Sequence, residues 1–406
     1  MLHGYAKETS MRYLAGAVCA AVVATGALAQ EASTLAIRVA TFNLEDVRPD
    51  DVADARNPRM RQLAETIQRI APNVILLNEI AFAAPNDFSR PETGSWTAEQ
   101  FVKNYLSVPQ KEGLTPITYH VYTSRPNTGM PSGFDLDQSG EAQSAFPLPE
   151  PVAADGTRPP VSERARTYGN DSWGYGTFPG QYGMALLVDE RLSIDTEKIR
   201  TFRLFPWKSM PDPELPRKED GSMFYPAEVL DLFRLSSKSH WDVPVTLPNG
   251  AVIHFLCSHP TPPAFDGPED RNKRRNHDEI RFWADYIANA DYIVDDANVR
   301  GGLPGDSAFV ILGDLNADPD EGDSYRDPID RFLLSNQRIN SATAPTSDFS
   351  IEGLDADDTA RFGLRVDYIL PSARLTPLAS GVWRQVEDGT SDHFPVWMDL
   401  AVPGIP

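Results

Sequence analysis

Short apolar runs that end in an acid, an amide or a histidine recur along this chain and restrict its fold more than any other feature. FVILG is followed by Asp314 and Asn316, VILLN by Glu79, and IHFLCS by His259. Apolar runs of this length are typical of buried strands. In open α/β sheets, sites form at the carboxyl ends of the strands. The pattern therefore predicts an α/β fold with a polar site at one sheet edge.

Helical periodicity separates the predicted strands. Residues 58–71 place apolar side chains at helical spacing, and Pro72 ends that predicted helix. A second helix is predicted over residues 272–296. Strands alternating with helices in this order indicate α/β units. Strands are predicted at residues 35–44, 73–80, 181–188, 251–258, 307–314, 365–371 and 395–402.

The N-terminal segment has the pattern of a secretion signal. Basic Arg12 precedes an apolar stretch that ends at Leu28, and Ala27-Leu28-Ala29 is a small-x-small cleavage sequence. The alternative, a membrane anchor, is disfavoured because the stretch is short for a spanning helix. We expect cleavage after Ala29, a signal peptide over residues 1–29, and a periplasmic or secreted protein without a transmembrane segment.

Residues 30–406 are expected to form a single domain. Residues 124–181 are rich in Gly, Pro, Ser and Asp and show little periodicity, which indicates an exposed, loop-rich insertion. FPGQYG at the end of this insertion is a candidate to return to the site. Removal of the signal peptide leaves Cys257 as the single cysteine, so no intramolecular disulfide is expected. We expect a monomer.

Charge restricts the substrate classes. The formal net charge is −21, which opposes nonspecific binding to nucleic acid. A nuclease with a local basic strip remains possible, and RNKRR (Arg271 to Arg275) is the candidate strip. Its alternative interpretation is a solvated helix start.

The polar residues at the strand ends form a coherent chemical set. Glu79 and Asp392, together with Glu45, are hard oxygen ligands suited to Mg²⁺ or Mn²⁺. Asp314 can orient or deprotonate a water molecule. Each residue alone is more often part of a turn or a helix cap, but that interpretation does not explain the coincidence at successive strand ends.

The remaining members of the set can contact a phosphoryl group. Asn43 and Asn316 offer amide donors, and His259 and His393 can donate protons or hydrogen bonds. Asp367 can hold His393 in one tautomer. A calcium loop beginning at Asp314 is disfavoured because its sixth and twelfth positions are Pro and Tyr and because a strand precedes it.

The motifs together resemble the endonuclease/exonuclease/phosphatase superfamily, which has the deoxyribonuclease I-like fold. The resemblance rests on TFNLE (41–45), LLNEI (76–80), GMALLV (183–188), SHPTPP (258–263), GDLNADP (313–319), RVDYIL (365–370) and SDHFPV (391–396). It implies a four-layer α/β sandwich, with two mixed β-sheets flanked by helices. It also implies metal-dependent hydrolysis of a phosphoester by direct attack of water.

The resemblance also implies roles for single residues. Glu79 resembles the principal Mg²⁺ ligand, and Asp392 and Glu45 resemble metal-associated acids. Asp314 resembles the acid that activates the water, and Asp367 the acid that orients the phosphate-contacting histidine. The matching contact residues are Asn43, His259, Asn316 and His393. Mg²⁺ is the expected cofactor, with Mn²⁺ or Ca²⁺ as substitutes.

The chain departs from the family pattern in places. The usual LQE reads LNE at residues 77–79, and the insertion and FRLSSKSHWDVPV (233–245) match no branch. Arg234, Lys238 and His240 are further candidates for substrate contacts, with a surface β segment as the alternative. Tyr182 is a candidate either for the site or for packing.

Four functions are compatible with the sequence. The first is a secreted phosphoesterase acting on a small or lipid-derived mono- or diester, which the acidity favours. The second is an extracellular or periplasmic nuclease that cleaves DNA or RNA. A sphingomyelinase-type phospholipase ranks third because SWTAEQF and FPW are weak candidates for a membrane-docking loop. A catalytically inactive binding protein ranks last because every expected catalytic position is filled.

Overall fold

The computed structural model describes residues 34–85, 87, 93–148, 158–305 and 307–404, so the predicted signal peptide lies outside the described residues. The strands are β1 (Leu35–Val47), β2 (Val74–Ile80), β3 (Tyr119–Tyr122), β4 (Met184–Asp189), β5 (Ser193–Ile194), β6 (Arg200–Thr201), β7 (His240–Thr246), β8 (Val252–Ser258), β9 (Ala308–Asp314), β10 (Asp367–Pro371), β11 (Thr376–Val382) and β12 (Val396–Val402). The helices are α1 (Pro49–Ala53), α2 (Pro58–Ile70), α3 (Trp96–Phe101), α4 (Glu163–Asn170), α5 (Ala227–Leu230) and α6 (Arg271–Ile287).

The strands form two six-stranded mixed sheets. The first sheet has the order β11-β12-β1-β2-β4-β3, and the second has the order β10-β9-β8-β7-β5, with β6 also paired to β7. The pairs β1–β2 and β8–β9 are parallel, and the other pairs are antiparallel. Each sheet therefore holds one parallel pair near its middle.

The two sheets pack face to face, with helices on their outer faces. Val39 and Leu76 of the first sheet share one buried cluster with Val243 and Phe255 of the second. The outer face of the first sheet packs against α2, and the outer face of the second packs against α6. These layers confirm the predicted α/β sandwich of two mixed sheets flanked by helices.

Helix α2 shows how local sequence sets these layers. Asn57 caps its first turn by accepting hydrogen bonds from the Arg59 and Met60 amides, and Pro58 occupies the first helical position, where no amide donor is needed. Its buried face includes Leu63 and Ile67, as the helical spacing predicted. The predicted helix over residues 58–71 is confirmed within one residue.

Helix α6 is shorter than the sequence predicted. It ends at Ile287 rather than near residue 296. Asn289 adopts a left-handed conformation with φ of 57°, and its side-chain oxygen accepts a hydrogen bond from the Gly302 amide. A residue in this conformation ends a helix. The prediction that the helix continues beyond Ile287 is therefore wrong.

The insertion over residues 124–181 is more buried than predicted. Trp173 and Phe178 have exposed fractions of 6% and 0%, and the buried carboxylate of Asp171 accepts hydrogen bonds from the Leu136 and Gln143 amides. The prediction of an exposed segment is wrong for these parts. Buried aromatic and acidic side chains at isolated positions fix the loops, and isolated positions leave no periodic pattern in the sequence.

The carboxyl ends of β1, β2, β8 and β9 lie at one edge of the sandwich. The Asp314 amide at the end of β9 donates to the Asn78 side-chain oxygen on β2, across the two sheets, at 3.3 Å. None of the helices in the described part of the chain is long and apolar enough to cross a membrane.

Candidate active site

Asn43 joins the ends of three strands. Its amide nitrogen donates to Asp314 Oδ2 at 2.9 Å and to Glu79 Oε1 at 3.2 Å. Its side-chain oxygen accepts a hydrogen bond from the Glu45 amide at 3.0 Å. The structure thus brings together the residues that the sequence placed at the ends of β1, β2 and β9.

Asp314 lies between two histidines. Its Oδ2 is 3.4 Å from His259 Nε2 and 3.8 Å from His393 Nε2, and its Oδ1 accepts a hydrogen bond from the Asn316 amide at 2.9 Å. Burial acts to raise the pKa of this carboxyl group, but the two histidines and Asn43 outweigh burial and hold the pKa below its ordinary value. Asp314 is therefore ionised at neutral pH.

His393 is held by two acids. Its Nδ1 lies 2.8 Å from Asp367 Oδ2, and its amide donates to Ser391 Oγ at 3.1 Å. Burial acts to lower the pKa of this imidazole, but Asp367 and Asp314 outweigh burial and raise the pKa. His393 therefore keeps a proton on Nδ1, and its Nε2 can donate as well.

His259 differs from His393 in its surroundings. Burial and the neighbouring Lys238 ammonium lower its pKa to about 4, so its imidazole is neutral at neutral pH. Its Nδ1 is buried without a hydrogen-bond partner among the residues that the structure describes. One neutral and one charged histidine thus face the same carboxylate.

Several site residues have left-handed backbones that side chains other than glycine rarely adopt. The φ angles are 54° for Glu45, 56° for Asp46, 61° for Glu79 and 54° for Asn316. Glu45 and Asp46 lie where the pairing of β1 with β2 shifts register between Asn43 and Val47. Such strain costs of order 1–3 kcal/mol per residue and clusters at functional sites.

The three predicted metal-associated acids have few cationic partners, one of which is His393, whose Nε2 lies 3.8 Å from Asp392 Oδ1. Within the described residues, Glu45, Glu79 and Asp392 form no ion pair with lysine or arginine. Burial raises the pKa of Glu79 to about 7, and burial followed by the Asp392 charge raises the pKa of Glu45. Unbalanced carboxylates of this kind fit a hard divalent cation, which supplies the missing positive charge.

The potential metal-ligand atoms that lie near one another belong to other residues than these three acids. Asp314, Asp367 and His393 have ligand atoms within 4.8 Å of one another, as do Asp135, Asp137 and Asp171 in the insertion. The three predicted metal-associated acids are in neither set. Side chains that close around an ion need not touch before it binds, because their like charges repel one another.

The structure separates the four further candidates for substrate contacts into two pairs: Lys238 with Tyr182, and Arg234 with His240. Lys238 is buried, and its Nζ donates to the Pro260 carbonyl oxygen at 3.3 Å, which also accepts from Asn316 Nδ2 at 3.2 Å. Tyr182 directly follows Gln181, whose Nε2 donates to Asp46 Oδ1 at 3.1 Å, and burial, then Asp46 and Glu79, raise the pKa of Tyr182. Both residues are therefore at the site.

Arg234 and His240 have other partners than the residues around Asp314. The Arg234 guanidinium stacks over Trp173 at 5.2 Å from the ring centroid. The buried His240 ring packs between Phe282 and Trp283 of α6, and its Nε2 lies 2.9 Å from the Glu279 carbonyl oxygen. His240 is therefore not brought into the candidate site.

Asp46 is a site residue that the sequence analysis missed. Its amide donates to Glu79 Oε2 at 3.1 Å. Its carboxylate accepts from Gln181 Nε2 at 3.1 Å and pairs with Arg48 at 2.5 Å and with Arg158 at 3.9 Å. Gln181 belongs to FPGQYG, whose position after the insertion was the available signal.

The basic strip is not a free cationic surface. Arg271 pairs with Glu269, Lys273 with Asp323, and Arg274 with Glu214. Arg275 is buried and donates to the backbone carbonyls of Leu235 and Trp173. The strip begins helix α6 and holds it in place.

The chain was compared with known protein families, curated proteins and solved structures. Residues 40–393 match the profile of the Endonuclease/Exonuclease/phosphatase family. Among proteins with curated functions, none matches the chain significantly.

Three solved structures illustrate the likeness. An endonuclease/exonuclease/phosphatase from Beutenbergia cavernae is 19% identical, with 91% of this chain and 72% of that chain covered and a TM-score of 0.47. The human Nocturnin catalytic domain with bound sulfate is 13% identical, with 90% and 93% covered and a TM-score of 0.46. Humanized D. rerio TDP2 is 12% identical, with 90% and 98% covered and a TM-score of 0.44.

Proposed function

This chain belongs to the endonuclease/exonuclease/phosphatase family, and we propose that it is a secreted, Mg²⁺-dependent hydrolase of a small phosphoester. Family members are phosphoester hydrolases that generally depend on a divalent metal. The observation that carries the proposal is the contact of Asn43 with both Asp314 and Glu79 at the ends of three strands. This contact supports a single active site in which Asp314, as the water-orienting acid, and Glu79, as the metal-binding acid, act on the same phosphorus atom.

In this proposal Asp314 orients the attacking water. Its ionised Oδ2 accepts a hydrogen bond from the water, and Asn43 and Asn316 fix the carboxylate from two sides. The proton passes to Asp314 as the water oxygen bonds to phosphorus and the bond from phosphorus to the ester oxygen breaks, and the departing alkoxide takes up a proton from solvent. A carboxylate with a lowered pKa is a weak base, so its main contribution is to position the water.

His393 and Lys238 hold the phosphoryl group. The His393 imidazolium, fixed by Asp367 at 2.8 Å, donates from Nε2 to a phosphoryl oxygen. The Lys238 ammonium, which lies just before β7, adds positive charge. It is buried and therefore removed from water before a substrate binds. Neutral His259 donates a hydrogen bond without adding charge. Negative charge on the phosphoryl oxygens is thereby stabilised from several directions.

Glu79, Asp392 and Glu45 would hold the metal ion. When bound there, a divalent cation would supply positive charge to polarise the phosphoryl group and to neutralise the leaving oxygen. Asp46 keeps Glu79 in place through its backbone amide, while the carboxylate of Asp46 interacts with Arg48, Arg158 and Gln181. Mg²⁺ is the proposed ion because the donor set consists of hard oxygen ligands.

The overall charge supports a small substrate. The chain carries a formal charge of −21, and the RNKRR strip is neutralised by neighbouring acids or bound to backbone. A long polyanion gains little from such a surface. Secretion by cleavage after Ala29 and a monomeric state remain part of the proposal, supported by the N-terminal sequence pattern and by the expected single domain.

The proposal is tested by activity with Mg²⁺ on three substrates. These are an aryl phosphate monoester, a bis-aryl phosphate diester and plasmid DNA, each with the mature protein that begins at Gln30. Hydrolysis of a small ester with intact plasmid supports the phosphoesterase. Nicking of the plasmid that falls steeply with added salt supports the nuclease instead. Without turnover of any substrate, the proposal fails.

A further inference from the structure

Three arginines lie at the same edge of both sheets as the candidate active site. Arg125 follows β3, Arg203 follows β6, and Arg234 precedes β7. In the first sheet, Met184 pairs with Asn78, and Thr123 just after β3 donates to the Met184 carbonyl. The end of β3 is therefore at the edge where Glu79 lies.

The second sheet brings the other two arginines to this edge. His240 at the start of β7 pairs with Ser258, which directly precedes the site residue His259. Thr201 in β6 pairs with Trp241 of β7. The segments that carry Arg203 and Arg234 therefore leave the sheet beside His259.

Asn127 joins these segments to the candidate active site. Its amide donates to the backbone carbonyl of Lys238 at 2.8 Å. Its side-chain nitrogen donates to the carbonyls of Arg203 at 2.7 Å and Ser236 at 2.8 Å, and its side-chain oxygen accepts from the Arg234 guanidinium. One buried amide thus fixes the arginine segments against Lys238.

The arginines carry an excess of positive charge. Asp296 is the acid beside Arg203 and Arg234 in the described part of the chain, and it forms no ion pair with either. Its carboxylate instead accepts from the Thr201 hydroxyl at 2.7 Å and from the backbone amides of Arg203 and Leu204. The Arg203 guanidinium forms no hydrogen bond within the described residues.

The excess charge is also partly removed from water. Burial, followed by repulsion from Arg203, lowers the pKa of Arg234 to about 10, and burial lowers the pKa of Arg203. In a chain with a net charge of −21, desolvated arginines with one acid nearby are costly unless an anion binds them. Guanidinium groups bind phosphate with paired hydrogen bonds.

Neutral donors lie on the same segments. The hydroxyl groups of Thr128 and Ser236 are buried, with residue exposures of 1%, and neither has a hydrogen-bond partner among the described residues. Thr128 follows Asn127 in the chain, and the Ser236 carbonyl is bound by Asn127. Buried hydroxyls without partners, on the segments next to Arg203 and Arg234, which form no ion pair within the described residues, indicate a polar ligand.

We propose that Arg203 and Arg234, with Arg125 beside them, form a second anion subsite that binds a further phosphate group of the substrate. The inference rests on the proposed phosphoesterase function and specifies its substrate class as esters with two phosphates. The cleaved phosphate lies at Asp314 and His393, and the second phosphate lies at the arginines. A small bisphosphate and a short nucleotide with a terminal phosphate share this chemistry.

The test compares matched esters with and without the second phosphate. One pair is a propanediol bisphosphate and the corresponding monophosphate, and the other is a thymidine dinucleotide with and without a terminal phosphate. We expect kcat/KM to be higher for the doubly charged member of at least one pair. Preference in the first pair identifies a small bisphosphate, and preference confined to the second identifies a nucleotide.

Variants show whether the arginines cause the preference. Arg203→Gln should reduce the ratio of kcat/KM values within the preferred pair by about tenfold or more, which is the usual effect of losing a charged hydrogen bond. Arg234→Lys keeps the charge but loses the paired geometry, so a smaller reduction is expected. Arg191→Gln at the opposite edge of the first sheet should leave the ratio unchanged. An equal ratio in wild type and Arg203→Gln overturns the proposal.

Calorimetry separates this proposal from the proposed function. Propanediol bisphosphate is titrated into wild type and into Arg203→Gln without turnover being required. Binding that is about tenfold weaker in Arg203→Gln supports the subsite even if no ester is hydrolysed. Equal binding, or none to wild type, overturns it even if the monophosphate is a good substrate.

Discussion

Asp367 and His393 form a buried hydrogen bond of 2.8 Å between Oδ2 and Nδ1, and the Nε2 atom of the same ring lies 3.8 Å from Asp314. The pair joins the start of β10 to the segment before β12. It fixes the ring orientation and keeps a proton on Nδ1. The phosphoryl contact assigned to His393 therefore depends on Asp367 as a positioning residue.

Removal of either partner should slow catalysis by a similar factor. We expect His393→Ala to lower kcat about a hundredfold or more, and Asp367→Asn to lower it comparably because asparagine stabilises the wrong tautomer. The double variant should be no slower than His393→Ala alone, since the two residues act as one unit. Multiplicative effects in this cycle would contradict the assignment. Circular dichroism checks that each variant is folded.

Glu79 is expected to control the metal dependence. Glu79→Gln should raise the Mg²⁺ concentration needed for half-maximal activity, because a neutral amide is a weaker ligand than a carboxylate. Mn²⁺ binding measured by calorimetry should weaken in parallel. Glu99→Gln, an exposed change on α3, is the matched control. An unaltered Mg²⁺ titration in Glu79→Gln would rule out the assigned role.

Backbone strain at Glu45 gives a prediction about stability. Glu45 has a φ of 54°, a conformation that glycine adopts freely and alanine does not. Glu45→Gly should be about 1 kcal/mol more stable than Glu45→Ala in urea unfolding. At Glu190, an exposed position without a positive φ, the order of the Gly and Ala variants should be reversed. The same order at both positions would show that Glu45 is not strained.

The lowered pKa of His240 predicts that the folded protein loses stability in acid. Burial lowers its pKa to about 4 from an ordinary value of 6.5, so the unfolded chain binds this proton more readily than the folded chain does. The contribution of His240 to the free energy of unfolding is complete above pH 6.5. It falls by about 1.4 kcal/mol per pH unit as the pH drops toward 4. His259, whose pKa is also lowered to about 4, adds a second proton.

The experiment measures the free energy of unfolding in urea between these pH values. His240→Gln should reduce the slope by about one proton and leave the proton of His259. Gln keeps a donor for the Glu279 carbonyl, so the variant should fold. A slope equal to that of wild type would mean that His240 does not titrate between the two states.

The sequence predicted which residues lie together at the sheet edge better than it predicted the loops. Asn43, Glu79 and Asp314 each follow an apolar strand, and the meeting of strand ends is a general property of α/β sheets. The burial of Trp173 was not predictable because a single aromatic residue in a loop has no periodicity. The role of Asp46 was hidden because the left-handed turn that aims its amide at Glu79 occurs without glycine.

Lys238 and His240 illustrate the limit for neighbouring residues. Both lie in FRLSSKSHW, and alternation along an extended segment would place them on the same face. In the structure Lys238 precedes β7 and reaches Pro260 at the site, whereas His240 begins β7 and packs under α6. The sequence does not mark where the strand begins, and that boundary decides the direction of each side chain.

The most direct test of the account is the turnover of Asp314→Asn beside that of Asp320→Asn. Both changes replace a carboxylate with an amide in the same stretch, but Asp314 is buried between the histidines and Asp320 is exposed. The substrate is whichever phosphoester wild type hydrolyses with Mg²⁺, and thermal unfolding verifies that both variants fold. The account predicts loss of turnover in Asp314→Asn and near-normal turnover in Asp320→Asn. Near-normal turnover by folded Asp314→Asn would contradict it.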